Sequence, residues 1–346
     1  MVRRCGALLM LLSVGLAQEP EAPSGDELWK TIPEIGLPDP QIRSLELEGW
    51  GGLHEELRWH FLYKAPAKYA LYAWGADGVP VAAYAQTQLL VAEAYRGQVL
   101  YSSDLGLRFT INVDGEDFRF GFFFASTPKG ERPHNRVHID LGSLKQLLGP
   151  KMKVKSQGGK RYRLSAQSKK GNLLVADFDL ASRWPFQAIG MFKTRKPTFA
   201  ITRFAVNGNV PDSAFAFPDM NEWKDRLGAD RVDMSTPGGS RHAQEAILLS
   251  MRTRAALKDP KIQAKLDKEM DLGPADWKKI AERHEKLSAL LKQALPPPPK
   301  SEAPQPPIDW KPAEEKGEEK PEAEKPEEKK EEKPEAPKEE EPATKD

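Results

Sequence analysis

The stretch from Phe199 to Phe217, FAITRFAVNGNVPDSAFAF, decides how this chain is read. Its first eight residues are strand-forming and alternate in polarity, as a half-buried strand requires. Asn207-Gly208-Asn209 then marks a turn. Pro211 fixes φ and offers no N–H, so it stops further pairing, and Asp212 starts a second turn. Phe215 and Phe217 return to apolar surface. A β domain therefore closes here, and the question becomes what precedes the closure.

Upstream, the same alternation recurs in pairs. GLRFTINV sets Leu107, Phe109, Ile111 and Val113 on one face, and FRFGFFF sets Phe118, Phe120, Phe122 and Phe124 on one face, with the tight-turn sequence DGED between them. LRWHFLY does the same with Trp59, Phe61 and Tyr63. KYALYAWGADGVPVAAY turns at GADG, and KRYRLSAQSKKGNLLVADFDL turns at KKGN. Sequential hairpins without helical crossovers predict an antiparallel meander. The clear helical interruption is DLGSLKQLLG (140–149), capped by Asp140 or Ser143 and ended by Gly149 and Pro150. About 10–12 strands in one sheet tend to curl or close. The expected fold is mainly β (α+β): a strongly curved antiparallel sheet, or half-barrel, with a lid helix, C-terminal helices and a disordered tail.

The flanks carry different signals. Arg3 and Arg4 precede an apolar run that ends with Gly15 and Ala17 at the −3 and −1 positions of a cleavage site, so residues 1–17 read as a secretory signal peptide. The expected location is periplasmic or secreted. Cys5, the single cysteine, lies inside this peptide, so disulfides, thiol catalysis and cysteine metal sites are not expected. Residues 18–40 hold five prolines and read as an irregular lead-in around a short helix, DELWKTI. Residues 41–220 form the β domain, 221–295 switch to helical periodicity, and 296–346 are a Pro, Glu and Lys tail of low complexity, expected to stay extended. From Lys300 to Asp346 there are ten Lys and seventeen acidic residues, a net −7, leaving +8 on residues 1–299. Neither balance is extreme, and no basic–aromatic interleaving points to nucleic acid. No later run is apolar enough for a membrane helix.

Across residues 41–220 the order of elements resembles the LolA/LolB-like envelope proteins, whose relatives include the periplasmic lipoprotein carrier and RseB-type N-terminal domains. The resemblance rests on FLYKAPAKYALYAW, on DGVPVAAYAQTQLLVAEAYRGQVLY, on the helix LGSLKQLLG, and on ITRFAVNGNVPDSAFAFPD. It implies a curved half-barrel lidded by helices, with an apolar cavity for acyl chains. It brings no catalytic signature. Arg58 and Arg108 are strand arginines that could stand for the family's transfer arginine.

No Gly-x-Ser-x-Gly elbow or Ser-x-x-Lys falls in a suitable context. His134 and His138, on a strand, would lie about 13 Å apart at ~3.3 Å per residue, too far for one zinc. KSQGGK (155–160) lacks phosphate-loop spacing and reads as a hairpin turn. The aromatic faces read as packed core or as the wall of an apolar cavity. Trp59, Phe61, Tyr63, Phe109, Phe118, Phe120 and Phe122 are the candidate wall. In the helical segment, Trp277, Ile280, His284, Leu287 and Leu291 form one apolar stripe. That stripe either docks on the β domain or, through helix 276–295, serves an envelope partner. The expectation is a non-enzymatic binding protein for lipid or lipoprotein acyl chains, needing no cofactor or metal. The alternative is an envelope sensor or scaffold acting through the C-terminal helices and charged tail.

Overall fold

Each hairpin named above forms in the computed structural model, which describes residues 22–85, 88–97, 108–113, 116–124, 135–146, 148–168, 170–217, 225 and 239–312. Residues 1–17, expected to form a signal peptide, His134 and the tail beyond Pro312 lie outside the described residues. Strands β1 (Glu34–Leu37), β2 (Ser44–Gly51), β3 (Arg58–Lys64), β4 (Lys68–Trp74), β5 (Pro80–Ala85) and β6 (Gln88–Val91) come first. They are followed by β7 (Arg108–Val113), β8 (Glu116–Phe124) and β9 (Asn135–Asp140), then by β10 (Leu148–Gly158), β11 (Arg161–Ser168), β12 (Leu173–Asp179), β13 (Phe186–Phe192) and β14 (Pro197–Val206).

All pairings are antiparallel, but the strands sort into two sheets rather than the single one expected. Ten strands run in the order β10-β11-β12-β13-β14-β2-β3-β4-β5-β6, open at both ends, and four run β1-β9-β8-β7. The lead-in is thus more ordered than its prolines suggested, because β1 pairs with β9 (Ile35 opposite Ile139, Leu37 opposite Val137). It also carries α1 (Gly25–Trp29), closed by a capping box in which the Ser24 hydroxyl accepts from Glu27 N–H at 3.2 Å. The mid-chain helix is shorter than the sequence suggests. A 3-10 turn spans Gly142–Gln146 and β10 begins at Leu148. Pro150 sits where the β10–β11 register shifts, on the terminal strand of the sheet, where a missing N–H is tolerated.

Two local meanders, β2–β6 and β10–β14, meet only where β14 pairs with β2, from Phe199 opposite Gly51 to Val206 opposite Leu45. A bulge between Ile201 and Arg203 changes the parity of β14, so Phe199, Ile201 and Phe204 all join the principal core. That core takes Leu45 and Leu47 of β2, Trp59, Phe61 and Tyr63 of β3, and alternate residues of β11–β13. It also holds Leu28 and Trp29 of α1 and Val137 and Ile139 of β9. The inner face of the large sheet is therefore covered in part by the small one. Three helices follow: α2 (Gly239–Ala256), α3 (Pro260–Met270) and α4 (Pro274–Ala294). Among the described residues, no helix is long and apolar enough to cross a membrane.

Close approach at the seam needs glycine. A Cβ on Gly49 would stand 2.1 Å from the Trp59 ring and 2.4 Å from the Ala200 carbonyl oxygen. Its absence lets Trp59 cross β2 and stack on Phe199, ring centres 6.1 Å apart. Gly51, at φ +77, faces Thr198 equally closely. Gly49→Ala is expected to destabilise the fold by about 1–3 kcal/mol through overpacking. Urea unfolding of the two proteins checks this, and equal midpoints would refute the seam's tight packing.

Candidate functional site

Of the seven candidate wall residues, the three on β3 are deeply buried. Trp59, Phe61 and Tyr63 alternate along β3 and all join the inner core. The Tyr63 and Tyr69 rings lie 5.1 Å apart, and burial raises the Tyr63 phenol above its ordinary value. The Tyr63 hydroxyl is buried and has no hydrogen-bond partner among the described residues. An unsatisfied hydroxyl in an apolar setting is costly, so it marks a place where an acceptor fits.

Phe109, Phe118, Phe120 and Phe122 lie on β7 and β8, where pairing register places them. Phe109 is opposite Phe120, Ile111 opposite Phe118, and Phe122 opposite Val137. Directly opposed residues share a face, so the aromatic face of the hairpin continues the face of Val137, a core residue. Their side chains lie outside the described residues. The seven residues thus fall on two sheets, and the sequence had no means of assigning them to separate layers.

The outer face of the large sheet holds a polar cluster that sequence reasoning missed. The bulge in β14 sets Arg203 opposite Glu48, and β3 sets His60 opposite Glu48. His60 Nε2 lies 3.0 Å from Glu46 Oε1, and the Arg203 guanidinium reaches Glu46 at 2.9 Å and Glu48 at 3.4 Å. The hydrogen bond from His60 lowers the Glu46 carboxyl below its ordinary value. The buried Glu48 also accepts from the Ser301 hydroxyl at 2.7 Å, and Arg58, stacked 5.2 Å over the Trp50 ring, donates to the same Ser301 at 3.3 Å. Glu46, Glu48 and His60 are the one grouping among the described residues with ligand atoms close enough for a metal, within 4.8 Å of one another. A guanidinium already bridges both carboxylates where a cation would sit. The cluster is a closed ion network, and what it holds is a strap of chain.

That strap is the proline-rich segment 296–312, the start of the expected tail. It crosses the outer face from Pro298, beside Gly78, through Ser301 at the β2–β14 seam, to Trp310 on Leu173, Val175 and Phe192. The signal for it was present as a lone tryptophan in a low-complexity region.

The helical stripe is used within the chain. Trp277, Ile280 and Leu287 pack with Ala94, Ala256 and Leu266, whereas Leu291 and Leu295 pack on Tyr72 and Trp74 of β4. Arg254 of α2 pins the β4–β5 turn by donating to the carbonyls of Val79 (3.0 Å) and Pro80 (2.6 Å). The closing stretch 207–217 does the same on the other flank. Asn207 Oδ1 accepts from Arg43 N–H at 2.6 Å, and the Tyr72 hydroxyl donates to the Ala214 carbonyl at 2.9 Å. No family model matches the sequence, and neither does any curated protein.

Two expectations follow. Glu48→Ala removes the shared acceptor of Arg203 and Ser301 and should cost about 1–3 kcal/mol. Trypsin cleavage at the neighbouring Lys300 should accelerate, and unchanged cleavage would mean that this contact does not hold the strap. The second concerns His284. Burial, with the Arg254 charge next, pulls its imidazole down to about 4 from an ordinary 6.5. The unfolded chain then binds more protons between those values, so stability rises with pH across that window and is lost on acidification through it. Half-burial and solvent screening limit the effect to about 1–2 kcal/mol. His284→Gln should flatten the stability profile between pH ~4 and ~6.5, as followed by urea unfolding at several pH values.

Proposed function

We propose that this chain is an exported, non-enzymatic binding protein of the LolA-like kind, whose half-barrel shelters lipid acyl chains or a lipidated partner between its two sheets. The observation that carries this reading is the register that runs the Phe109, Phe118, Phe120 and Phe122 face of β7–β8 on from Val137, toward the apolar inner face of the ten-stranded sheet. Two apolar sheet faces of unequal width leave more surface on the larger than the smaller spans, since four strands at ~4.8 Å cover about 19 Å against about 48 Å for ten. Binding is driven by removing acyl surface from water, about 0.8 kcal/mol per buried methylene, with no covalent step. The unpartnered hydroxyl of Tyr63 supplies one polar contact for a carboxyl or ester oxygen at the end of the chain.

The scaffold reading has less support, because the apolar stripe of α4 that a partner helix would use is occupied by α2, α3 and β4.

Purified full-length protein should carry extractable lipid by mass spectrometry and take up a fluorescent fatty acid. Tyr63→Phe should hold or raise the melting temperature, because it removes a buried unsatisfied group. It should also weaken fatty-acid uptake by roughly fivefold, the loss of about one hydrogen bond. A lipid-free preparation that binds no fatty acid would sink the reading.

A further inference from the structure

The outer face carries a second surface, at the end of the ten-stranded sheet. Met152 and Val154 of β10 pack on the inner core, so alternation sends Lys151, Lys153 and Lys155 to the opposite face. All three are exposed. They line a groove of about 830 Å³ whose far wall is the end of the strap, Pro307 to Lys311.

Three features of this groove point outward from the chain. First, its lysines have no partner among the described residues. Elsewhere on the molecule Lys64 and Lys68 share Asp212, Lys196 reaches Glu56, and Lys258 reaches Asp77. Lys151, Lys153, Lys155 and Lys311 have no ion-pair or hydrogen-bond partner among the described residues. Arg163, also in the groove, is already engaged by Asp177 at 2.7 and 2.8 Å, and Asp309 is the one acidic residue in the lining. Second, alternate strand residues repeat every ~6.7 Å, so Lys151, Lys153 and Lys155 leave β10 at about that backbone pitch. An extended peptide with carboxylates at alternate positions has the same pitch. Third, the strap side adds apolar groups to its two charges. Trp310 lines the groove, and Ile308 between two lining residues is fully exposed. An exposed isoleucine at the rim suits a protein partner rather than a nucleic acid or a sugar polymer. Lysines act as point charges, so with the arginine fork occupied they attract carboxylates without requiring bidentate geometry.

We infer that the groove between β10 and the strap docks an extended acidic peptide segment of a protein partner. Carboxylates at alternate residues would lie along Lys151, Lys153 and Lys155, with an apolar residue against Ile308 and Trp310. The surface is separate from the apolar inner face and does not depend on the acyl-chain reading.

Fluorescence anisotropy of the full-length protein tests it, using a short labelled peptide with Glu at alternate positions, its Gln counterpart, and a single-stranded oligonucleotide. The Glu peptide should bind at least tenfold more tightly than the Gln peptide, and should weaken steeply as ionic strength rises from ~0.05 to ~0.5 M. Lys151→Glu, Lys153→Glu and Lys155→Glu combined should abolish binding, with melting temperature and fatty-acid uptake unchanged because these side chains are exposed. Ile308→Ser should weaken peptide binding about threefold. Equal binding of the Glu and Gln peptides, retention by the triple variant, or tighter binding of the oligonucleotide would each overturn the assignment.

Discussion

The fold depends on one long-range pairing, that of β14 with β2. Each meander beside it can form from neighbours in sequence, and such hairpins need close only short loops. The seam joins Leu45 to Val206 and Gly51 to Phe199, so its loop-closure entropy must be met before its contacts form. Tight complementarity offsets that cost. Gly49 and Gly51 leave room for Trp59 and Thr198, and Asn207, at φ +59, ties the exit of β14 to the entrance of β2. Without the seam the inner core would split into two halves, and the outer polar network, which draws Glu46, Glu48, His60 and Arg203 from three adjacent strands, would not assemble.

An antiparallel sheet usually keeps one face for water. Here the outer face is covered in sections. The end of α4 and the closing stretch 207–217 sit over β3–β6, Ser301 and its polar partners sit over the seam, and Trp310 sits over β12–β13. The burial pattern of β4 and β5, with nearly every residue shielded, is the result. At Pro307 to Lys311 the strap reaches the lysine-lined groove of β10. Burial on both faces also explains why Tyr72 bonds outward to Ala214 while Tyr63, on the inner face, is left without an acceptor. The first is part of the clasp. The second belongs to the face proposed to hold a ligand.

The hairpins were legible because alternation and turn residues are local properties. GADG, KKGN and KSQGGK each turn where the sequence placed a turn. The short N-terminal helix was legible in DELWKTI, and the helical character of the C-terminal segment from its period, though not its division into three helices. The candidate site was legible only as composition. Trp59, Phe61 and Tyr63 could be assigned to one face of one strand, as could Phe118, Phe120 and Phe122. Nothing in the sequence said that these faces belong to different sheets, or that β1 in the proline-rich lead-in would join the second. The polar cluster was hidden because Arg203 and Ser301 lie far in sequence from Glu46, Glu48 and His60, and only the β14–β2 register and the path of the strap bring them together. The strap was hidden by its prolines, which remove hydrogen-bonding capacity but do not prevent an extended segment from packing.

By itself, then, the amino-acid order determined the strands, their apolar faces, the turns between them, and the closure at NGNVPDSAF, because each depends on residues a few positions apart. Tertiary structure alone decided which strands neighbour one another, how they divide between two sheets, and which side of the large sheet the helices and strap cover. Those choices rest on pairings between segments more than a hundred residues apart, where steric fit at Gly49, the bulge in β14 and the acceptor at Glu48 select one arrangement that local patterning leaves open.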